Sequence, residues 1–262
     1  MTSHPSTCLR WAADSHPGTV RDHNEDAYAC DPAGSFLILA DGMGGELAGE
    51  VASSIAVEAT RERLTTLPVA STSMPDALLS CIAHAHEAVA KAAAHDPERT
   101  GMGCTLAIVA VSTADRVHAP SEGPCRTIWA ANVGDSRIYR LHGGRLEQLS
   151  IDHTVASQAR LAGIELSSSQ ALLAEHTLTQ AIGCGEFLAP HVAEVVWDRD
   201  DTFLLCSDGL TDLVDGAHLT AVLRDATDLE DACSTLIQLA LDGGGHDNVT
   251  AIVARPSTRG RP

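Results

Sequence analysis

The segment of residues 36–59 limits the fold of this chain more than any other part of the sequence. It opens with the apolar run FLILA, which has the length and composition of a buried strand. This run leads directly into Asp41 and the glycine-rich stretch GMGG, after which apolar residues recur every four positions, as in an amphipathic helix. A carboxylate at the end of a buried strand is desolvated and must be paired or bound to a cation. We therefore predict that Asp41 is a metal ligand.

Several further acids stand in a similar local setting. Asp208 follows the apolar run FLLCS, and Asp247 precedes the apolar run NVTAIVA. Three more acids adjoin predicted strands: Glu25, Asp26 and Asp135. One Asp-Gly pair alone is typical of a surface turn, but turns do not explain so many acids at strand edges. Hard divalent cations prefer carboxylate oxygens, and paired cations activate water for attack on a phosphoryl group. The sequence thus predicts a site for two divalent cations.

Composition narrows the choice of partners. The formal net charge is −18 and Lys91 is the only lysine, which argues against nucleic acid or an anionic membrane surface as a partner. The eight cysteines are scattered without a CxxC pair, and the start of the chain does not resemble a signal peptide. We expect a cytoplasmic protein with reduced thiols. We also expect one domain over residues 1–262, with a core at about 8–255 and a short tail at 256–262.

The hydrophobic pattern predicts an α+β layered sandwich with two pairs of helices. Strand-like runs at 105–112, 125–133, 136–141 and 145–150 suggest antiparallel neighbours, with a hairpin at His142-Gly143-Gly144. Runs at 191–197 and 201–210 suggest another strand pair, with its turn at 198–201. Residues 152–182 are less regular, and we expect an excursion that carries short helices and a function. Further helices are predicted from about 47 to 64, from 76 to 94 and through 229–241.

The motifs together resemble those of one family. They are VRDHNEDA, LADGMGGELAGEVAS, TLAIV, NVGDSRIYRL, CSDGLTD and GGHDNVT. Their order and spacing are similar to those of the bacterial metal-dependent type 2C serine/threonine protein phosphatases, the PPM family. The resemblance extends from about residue 11 to 253. It implies a four-layer fold, in which a central β-sandwich of two antiparallel sheets is flanked by pairs of antiparallel helices.

The resemblance also implies roles for individual residues. Asp41 would bridge two Mn²⁺ or Mg²⁺ ions. Glu25 and the backbone carbonyl of Gly42 would complete the protein ligands of one ion, and Asp208 and Asp247 would hold the other. The remaining implied positions are Asp26 and Asn248 in the outer shell, Asp135 and Asp212 at a third ion that shares Asp208, and Arg21 as the residue that binds phosphate.

One position departs from many bacterial relatives. These have a histidine after DGMGG, where this chain has Glu46. Glu46 could act as a general acid if burial raised its pKa, but an ionised carboxylate also stabilises a helix start, and we favour this second role. His153, His176 and His246 lie near the motifs, and we interpret them as structural or surface residues.

The leading hypothesis is a phosphatase that acts on phosphoserine and phosphothreonine in proteins. Its expected partners are a cognate kinase and the substrates of that kinase, and we expect a monomer. An alternative is a regulatory phosphatase-like protein that acts mainly by binding a phosphoprotein or kinase. A calcium-binding module would need ligands clustered in one loop, whereas these acids are dispersed along the chain.

Overall fold

Two antiparallel β-sheets lie face to face at the centre of the structure. The computed structural model describes residues 8–44, 48–66, 73–112 and 127–257. In spatial order, the first sheet contains β1 (Leu9–His16), β11 (Val249–Pro256), β10 (Thr202–Cys206), β7 (Arg137–His142) and β8 (Arg145–Gln148). The second sheet contains β2 (Asp26–Cys30), β3 (Phe36–Met43), β5 (Leu106–Val111), β6 (Thr127–Val133) and β9 (His191–Val196), with the short β4 (Gly103–Cys104) paired to β3.

Helices cover the outer face of each sheet. The second sheet packs against α1 (Ala48–Thr66) and α2 (Met74–His95). The first sheet packs against α6 (Gly216–Asp225) and α7 (Leu229–Asp242). The other helices are short: α3 (Val155–Leu161), α4 (Ser168–Glu175) and α5 (Asp208–Thr211). Among the helices in the described part of the chain, none has both the length and the apolar character that a membrane crossing requires. The four-layer α+β architecture expected from the sequence is confirmed.

The central strands are apolar on both faces because each sheet is covered on both sides there. In β3, Leu37 and Leu39 point into the layer between the sheets, whereas Ile38 packs against α1 and α2. β11 divides its side chains in the same way, with Ile252 between the sheets and Val253 toward α7. Side chains alternate between the faces of a strand, so continuous apolar runs rather than alternating ones are expected here.

The predicted strands and helices are found close to their expected limits, but two predicted pairings are wrong. β9 and β10 belong to different sheets, so residues 198–201 carry the chain between sheets instead of closing a hairpin. β6 and β7 likewise belong to different sheets, although the hairpin of β7 and β8 at Gly143-Gly144 is confirmed. β10 is buried on both faces, and this requires the central position that it takes between β7 and β11.

A buried ionic network holds the crossing at 198–201 in place. Asp201 is fully buried and its carboxylate accepts hydrogen bonds from Arg140 Nε at 2.9 Å, His142 Nδ1 at 2.7 Å and the Asp198 N–H at 2.8 Å. A buried charge is tolerated when it is paired and its oxygen atoms accept hydrogen bonds. The sequence pattern carries no local sign of this network, so a hairpin was the simpler interpretation.

Candidate metal centre

Asp41 lies near the end of β3, at the floor of a cleft at one end of the sandwich. Its backbone N–H donates to Thr105 Oγ1 at 2.9 Å, and that hydroxyl is also 2.7 Å from Ser136 Oγ. Burial raises the pKa of the Asp41 carboxyl well above its usual value, and the charges of Asp26 and Asp208 raise it further. The fold therefore holds this carboxylate in place at an electrostatic cost.

Asp26 lies directly across from Asp41 in the pairing of β2 with β3. Its Oδ2 accepts hydrogen bonds from Ser207 Oγ at 2.8 Å, just after β10 of the other sheet, and from Thr250 Oγ1 at 2.6 Å in β11 of that sheet. Its Oδ1 is buried and has no hydrogen-bond partner among the described residues. Burial raises the pKa of Asp26 to about 7. Asp26 thus links the two sheets beneath Asp41 and keeps one buried oxygen atom unpaired.

Glu25 is positioned by the backbone around it. Its N–H donates to Asn248 Oδ1 at 2.7 Å, and its carbonyl accepts from the Gly42 N–H at 3.1 Å. A Cβ atom on Gly42 would lie 2.2 Å from the Gly49 carbonyl oxygen, and a Cβ on Gly49 would lie 2.6 Å from the Glu25 carboxylate. Both glycines are therefore needed for the first turn of α1 to approach the Glu25 loop. Burial raises the pKa of Glu25, although Arg21 opposes this shift.

Asn248 fixes the loop that carries Glu25 and Arg21. Its side-chain amide donates to the carbonyls of Pro17 at 3.0 Å and His23 at 2.8 Å. A single buried side chain thereby joins the start of β11 to the loop between β1 and β2. This bond network brings Arg21 and Glu25 of the motif VRDHNEDA close to Asp247 of the motif GGHDNVT.

Asp208 and Asp212 stand at the two ends of the short helix α5, one turn apart. Burial raises the pKa of both carboxyls, and Asp212 is the next largest influence on Asp208. His176, the residue that follows α4, brings its Nδ1 to 3.5 Å from Asp212 Oδ2. Ligand atoms of His176, Asp208 and Asp212 all lie within 4.8 Å of one another. The imidazole of His176 therefore connects the 152–182 excursion to the acids at α5.

Arg21 faces the same cleft and forms an ion pair with Asp247. Arg21 Nη2 lies 2.8 Å from Asp247 Oδ2, and both side chains are about half exposed. Asp247 Oδ1 accepts the N–H of Asn248 at 2.9 Å. The guanidinium is held at the rim of the cleft with N–H groups still open to a ligand.

These residues surround one cavity of about 530 Å³, which we call the acidic cavity. Five carboxylates line it: Glu25, Asp41, Asp135, Asp208 and Asp247. Burial, with the charge of Asp208 as the next cause, raises the pKa of Asp135 to about 7. Arg21 is the one arginine on the described cavity wall. The wall therefore carries much more negative than positive charge when all of its acids are ionised.

The structure brings together almost all the site residues predicted from the sequence. Gly42 also lines the cavity, while Asp26, Asp212 and Asn248 lie against lining residues. Glu46 lies outside the described residues. His153 is buried and accepts a hydrogen bond from the Gly134 N–H at 3.1 Å, as expected of a structural histidine. His176 lines the cavity instead, and sequence analysis missed it because a lone histidine on an irregular segment carries no spacing signal.

Comparisons with known proteins agree with this geometry. The model of the protein phosphatase 2C family matches residues 18–241. The serine/threonine phosphatase stp of Listeria innocua is 30% identical over 243 residues, which cover 90% of this chain and 91% of the relative. The serine/threonine protein phosphatase PstP of Mycobacterium tuberculosis is 33% identical over 251 residues, which cover 94% of this chain but only 45% of PstP.

A solved structure shows the same likeness in three dimensions. The catalytic domain of a serine/threonine protein phosphatase PstP, determined with two manganese ions, superposes with a TM-score of 0.79 and 32% identity. The match covers 95% of this chain and 98% of that one. Fold and acidic cavity together define the class of metal-dependent phosphatases. The chain belongs to the protein phosphatase 2C family.

Proposed function

We propose that this chain hydrolyses phosphoserine and phosphothreonine esters in proteins and uses two divalent cations, Mn²⁺ or Mg²⁺, held in the acidic cavity. The observation that carries the proposal is the convergence of five carboxylates and one arginine on this cavity. Carboxylate oxygens are the ligands that these hard cations prefer, and a guanidinium matches the geometry of a phosphate. The family relationship supports the same activity.

The residues present fit a pair of divalent cations. Burial raises the pKa values of Glu25, Asp41 and Asp208, which means that these acids bind a proton more tightly than usual where no cation compensates their charge. The buried Oδ1 of Asp26 has no hydrogen-bond partner among the described residues, so it can accept a hydrogen bond from a water. Both features are expected of a site that is completed by cations and their water.

We assign the individual roles as follows. Asp41 would serve both ions, Glu25 and the Gly42 carbonyl would hold one of them, and Asp208 and Asp247 would hold the other. The supporting residues are Asp26 and Asn248, and a third ion would be held by Asp135 and Asp212 with Asp208 shared. This assignment is supported by the placement of all these residues in or against one cavity.

The cations, when bound, supply the positive charge that activates a water and draws electron density from the phosphoryl oxygen atoms. Arg21 orients the phosphate with its open N–H groups, while its ion pair with Asp247 keeps it at the rim. Thr105, linked to Ser136, holds the backbone of Asp41. Glu46 is not required in this scheme, and we propose that it stabilises the start of α1.

We further propose that the 152–182 excursion selects protein substrates. His176, Thr177 and Leu178 line the cavity, so the excursion borders the site. Its helices also expose large apolar side chains, among them Leu172 at 71% and Leu173 at 74%. A surface of this kind beside the site can contact a substrate protein without taking part in the chemistry.

The wider setting is also part of the proposal. We propose that the chain is a single cytoplasmic phosphatase domain, acts as a monomer and opposes a cognate serine/threonine kinase. A purely regulatory, binding-only protein is the weaker alternative, because all four carboxylates assigned to the two ions line this cavity.

Hydrolysis of p-nitrophenyl phosphate and of a phosphothreonine peptide tests the proposal. We expect turnover with Mn²⁺ that is lost with excess EDTA and restored when Mn²⁺ is added back. Activity that persists in EDTA would refute the role of the cations. Tight binding of the phosphopeptide without hydrolysis at saturating Mn²⁺ would favour the binding-only alternative.

A further inference from the structure

A second cavity lies at the opposite end of the first sheet. It has a volume of about 420 Å³, and four arginines line it: Arg10, Arg199, Arg224 and Arg255. We call it the arginine pocket. Arg255 is near the end of β11, whereas Asp247 precedes the start of that strand. At about 3.3 Å per residue, the eight residue steps from Asp247 to Arg255 place the two cavities roughly 25 Å apart.

The pocket is built on one row of side chains that crosses the sheet. Arg10 of β1 pairs with Arg255 of β11, and Thr202 of β10 pairs with Leu141 of β7. Arg255 Nε donates to Thr202 Oγ1 at 2.9 Å, and this bond joins the two halves of the row. Arg255 Nη2 also donates to the Leu223 carbonyl at the end of α6, at 2.8 Å. These two hydrogen bonds hold the Arg255 side chain between the row and α6.

The positive charge of the pocket is only partly compensated, although Arg10 interacts electrostatically with Asp228 outside the pocket. Asp200 is the one carboxylate on its described wall, against four guanidinium groups. The side chains of Arg10 and Arg199 form no ion pair or hydrogen bond with other described residues, and the hydrogen bonds of Arg255 go to a hydroxyl and a carbonyl. Arg224 is paired with Asp225 at 2.7 Å, but that pair is largely exposed and remains exchangeable.

The direct pairing of Arg10 with Arg255 is unfavourable within the protein. Like charges on directly opposed residues destabilise a sheet. Burial, and then the charge of Arg10, lowers the pKa of Arg255. The chain as a whole has a formal charge of −18, so carboxylates that could have neutralised this pair are abundant elsewhere. An anion bound between the two arginines would remove their repulsion.

We propose that the arginine pocket is a binding site for a phosphate group, separate from the acidic cavity. Guanidinium groups bind phosphate through paired hydrogen bonds, and several of them together favour a doubly charged anion over a single carboxylate. The volume suits a small phosphorylated molecule. The phosphate can arrive as the free ion or on an organic residue, and both sources present the same oxygen atoms to the pocket.

Isothermal titration of the full chain in Mg²⁺ tests this site. Inorganic phosphate represents the free ion, methylphosphonate represents a phosphate group on carbon that cannot be hydrolysed, and acetate serves as the carboxylate control. We expect wild type to bind phosphate or methylphosphonate at the pocket and to bind acetate much more weakly. Stronger binding of one of the two phosphorus compounds identifies the source. Acetate binding as tight as phosphate binding would overturn the assignment of ligand class.

Matched variants separate the pocket from the acidic cavity. Arg10→Gln and Arg199→Gln remove guanidiniums that make no bonds within the described protein, so folding should persist. Each should weaken the pocket affinity roughly tenfold, as expected for loss of a charged hydrogen bond, and leave turnover of p-nitrophenyl phosphate unchanged. Arg145→Gln is the control, since Arg145 is an exposed arginine at the start of β8 that does not line the pocket. Equal phosphate titrations for wild type, Arg10→Gln and Arg199→Gln would overturn the proposal.

Discussion

At the scale of single residues, Asp26 and Asp41 lie opposite each other, and repulsion between their carboxylates destabilises the cation-free protein. We predict that Asp41→Asn lowers phosphatase activity by a hundredfold or more, an effect at or above the roughly 10–100-fold that follows loss of residues that only support a metal site. In EDTA the same variant should unfold at an equal or higher temperature than wild type, because the amide removes repulsion among carboxylates. Steady-state kinetics and thermal unfolding measure the two effects.

Asp242→Asn is a suitable control for this change. Asp242 is exposed at the end of α7 and does not line the acidic cavity. It should leave both activity and unfolding temperature near the wild-type values. Wild-type turnover in Asp41→Asn at saturating Mn²⁺ would remove Asp41 from the site.

Arg21 is predicted to act through the affinity for phosphate. Arg21→Ala should raise KM for p-nitrophenyl phosphate roughly tenfold or more, since charged hydrogen bonds are lost. Affinity for Mn²⁺ should stay equal or increase, because Asp247 loses the positive charge 2.8 Å from its carboxylate. Arg21→Lys keeps the positive charge but loses the paired N–H groups of the guanidinium. Its KM should therefore lie between those of wild type and Arg21→Ala. An unchanged KM in Arg21→Ala would reduce Arg21 to a charge-balancing loop residue.

Sequence alone predicted the acids of the site for a physical reason. Asp41, Asp208 and Asp247 each adjoin an apolar strand, and that context distinguishes them from surface acids. His176 adjoins no such run, and only the folded excursion brings it to Asp212. The hydrogen bonds of Asp26 to Ser207 and Thr250 were likewise beyond sequence reasoning, because they join strands far apart in the chain.

At the scale of elements, one part of the 152–182 excursion borders the acidic cavity, and another part exposes apolar side chains to solvent. Leu172 and Leu173 on α4 are exposed, so replacing both with serine should change the free energy of unfolding by only about 0.5 kcal/mol each. We predict lower activity on a phosphoprotein and unchanged activity on p-nitrophenyl phosphate. Leu79→Ser, which alters an exposed leucine on α2, is the matched control. Equal loss on both substrates would indicate that the excursion is structural.

Elements also show where pattern reasoning stops. The limits of β3 and α2 followed from apolar periodicity, which depends only on local burial. The sheet to which β9 or β10 belongs depends on Asp201 and its partners Arg140 and His142, which are about 60 residues earlier in the chain. Neighbouring strands in sequence are often paired, but a sandwich requires some connections to cross between its sheets.

At the scale of the whole molecule, the raised carboxyl pKa values make stability depend on pH. Asp26 and Asp135 have pKa values of about 7 in the folded protein, above those of an unfolded chain, so the folded state binds their protons more tightly. This contribution to stability is complete below the unfolded value near pH 4 and is lost as the pH rises through about 7. A cation competes with these protons, so it stabilises the protein more at high pH.

We therefore predict that the rise in unfolding temperature on replacing EDTA with Mn²⁺ is larger at pH 8 than at pH 5.5. His153 acts in the opposite sense, because burial lowers its pKa and stability is lost as the pH falls below its unfolded value. That effect is present with and without Mn²⁺, so it cancels in the difference. A cation-induced rise that is the same at both pH values would show that these carboxyls are not coupled to the site.

The central claim, that the acidic cavity is a centre for two divalent cations, is tested most directly by calorimetric titration of the metal-free chain with Mn²⁺. We predict saturable binding of at least two ions per chain at pH 7.5, and at least one fewer tightly bound ion in Asp41→Asn, with Asp242→Asn like wild type. Absence of saturable binding, or identical stoichiometry and affinity in wild type and Asp41→Asn, would contradict it.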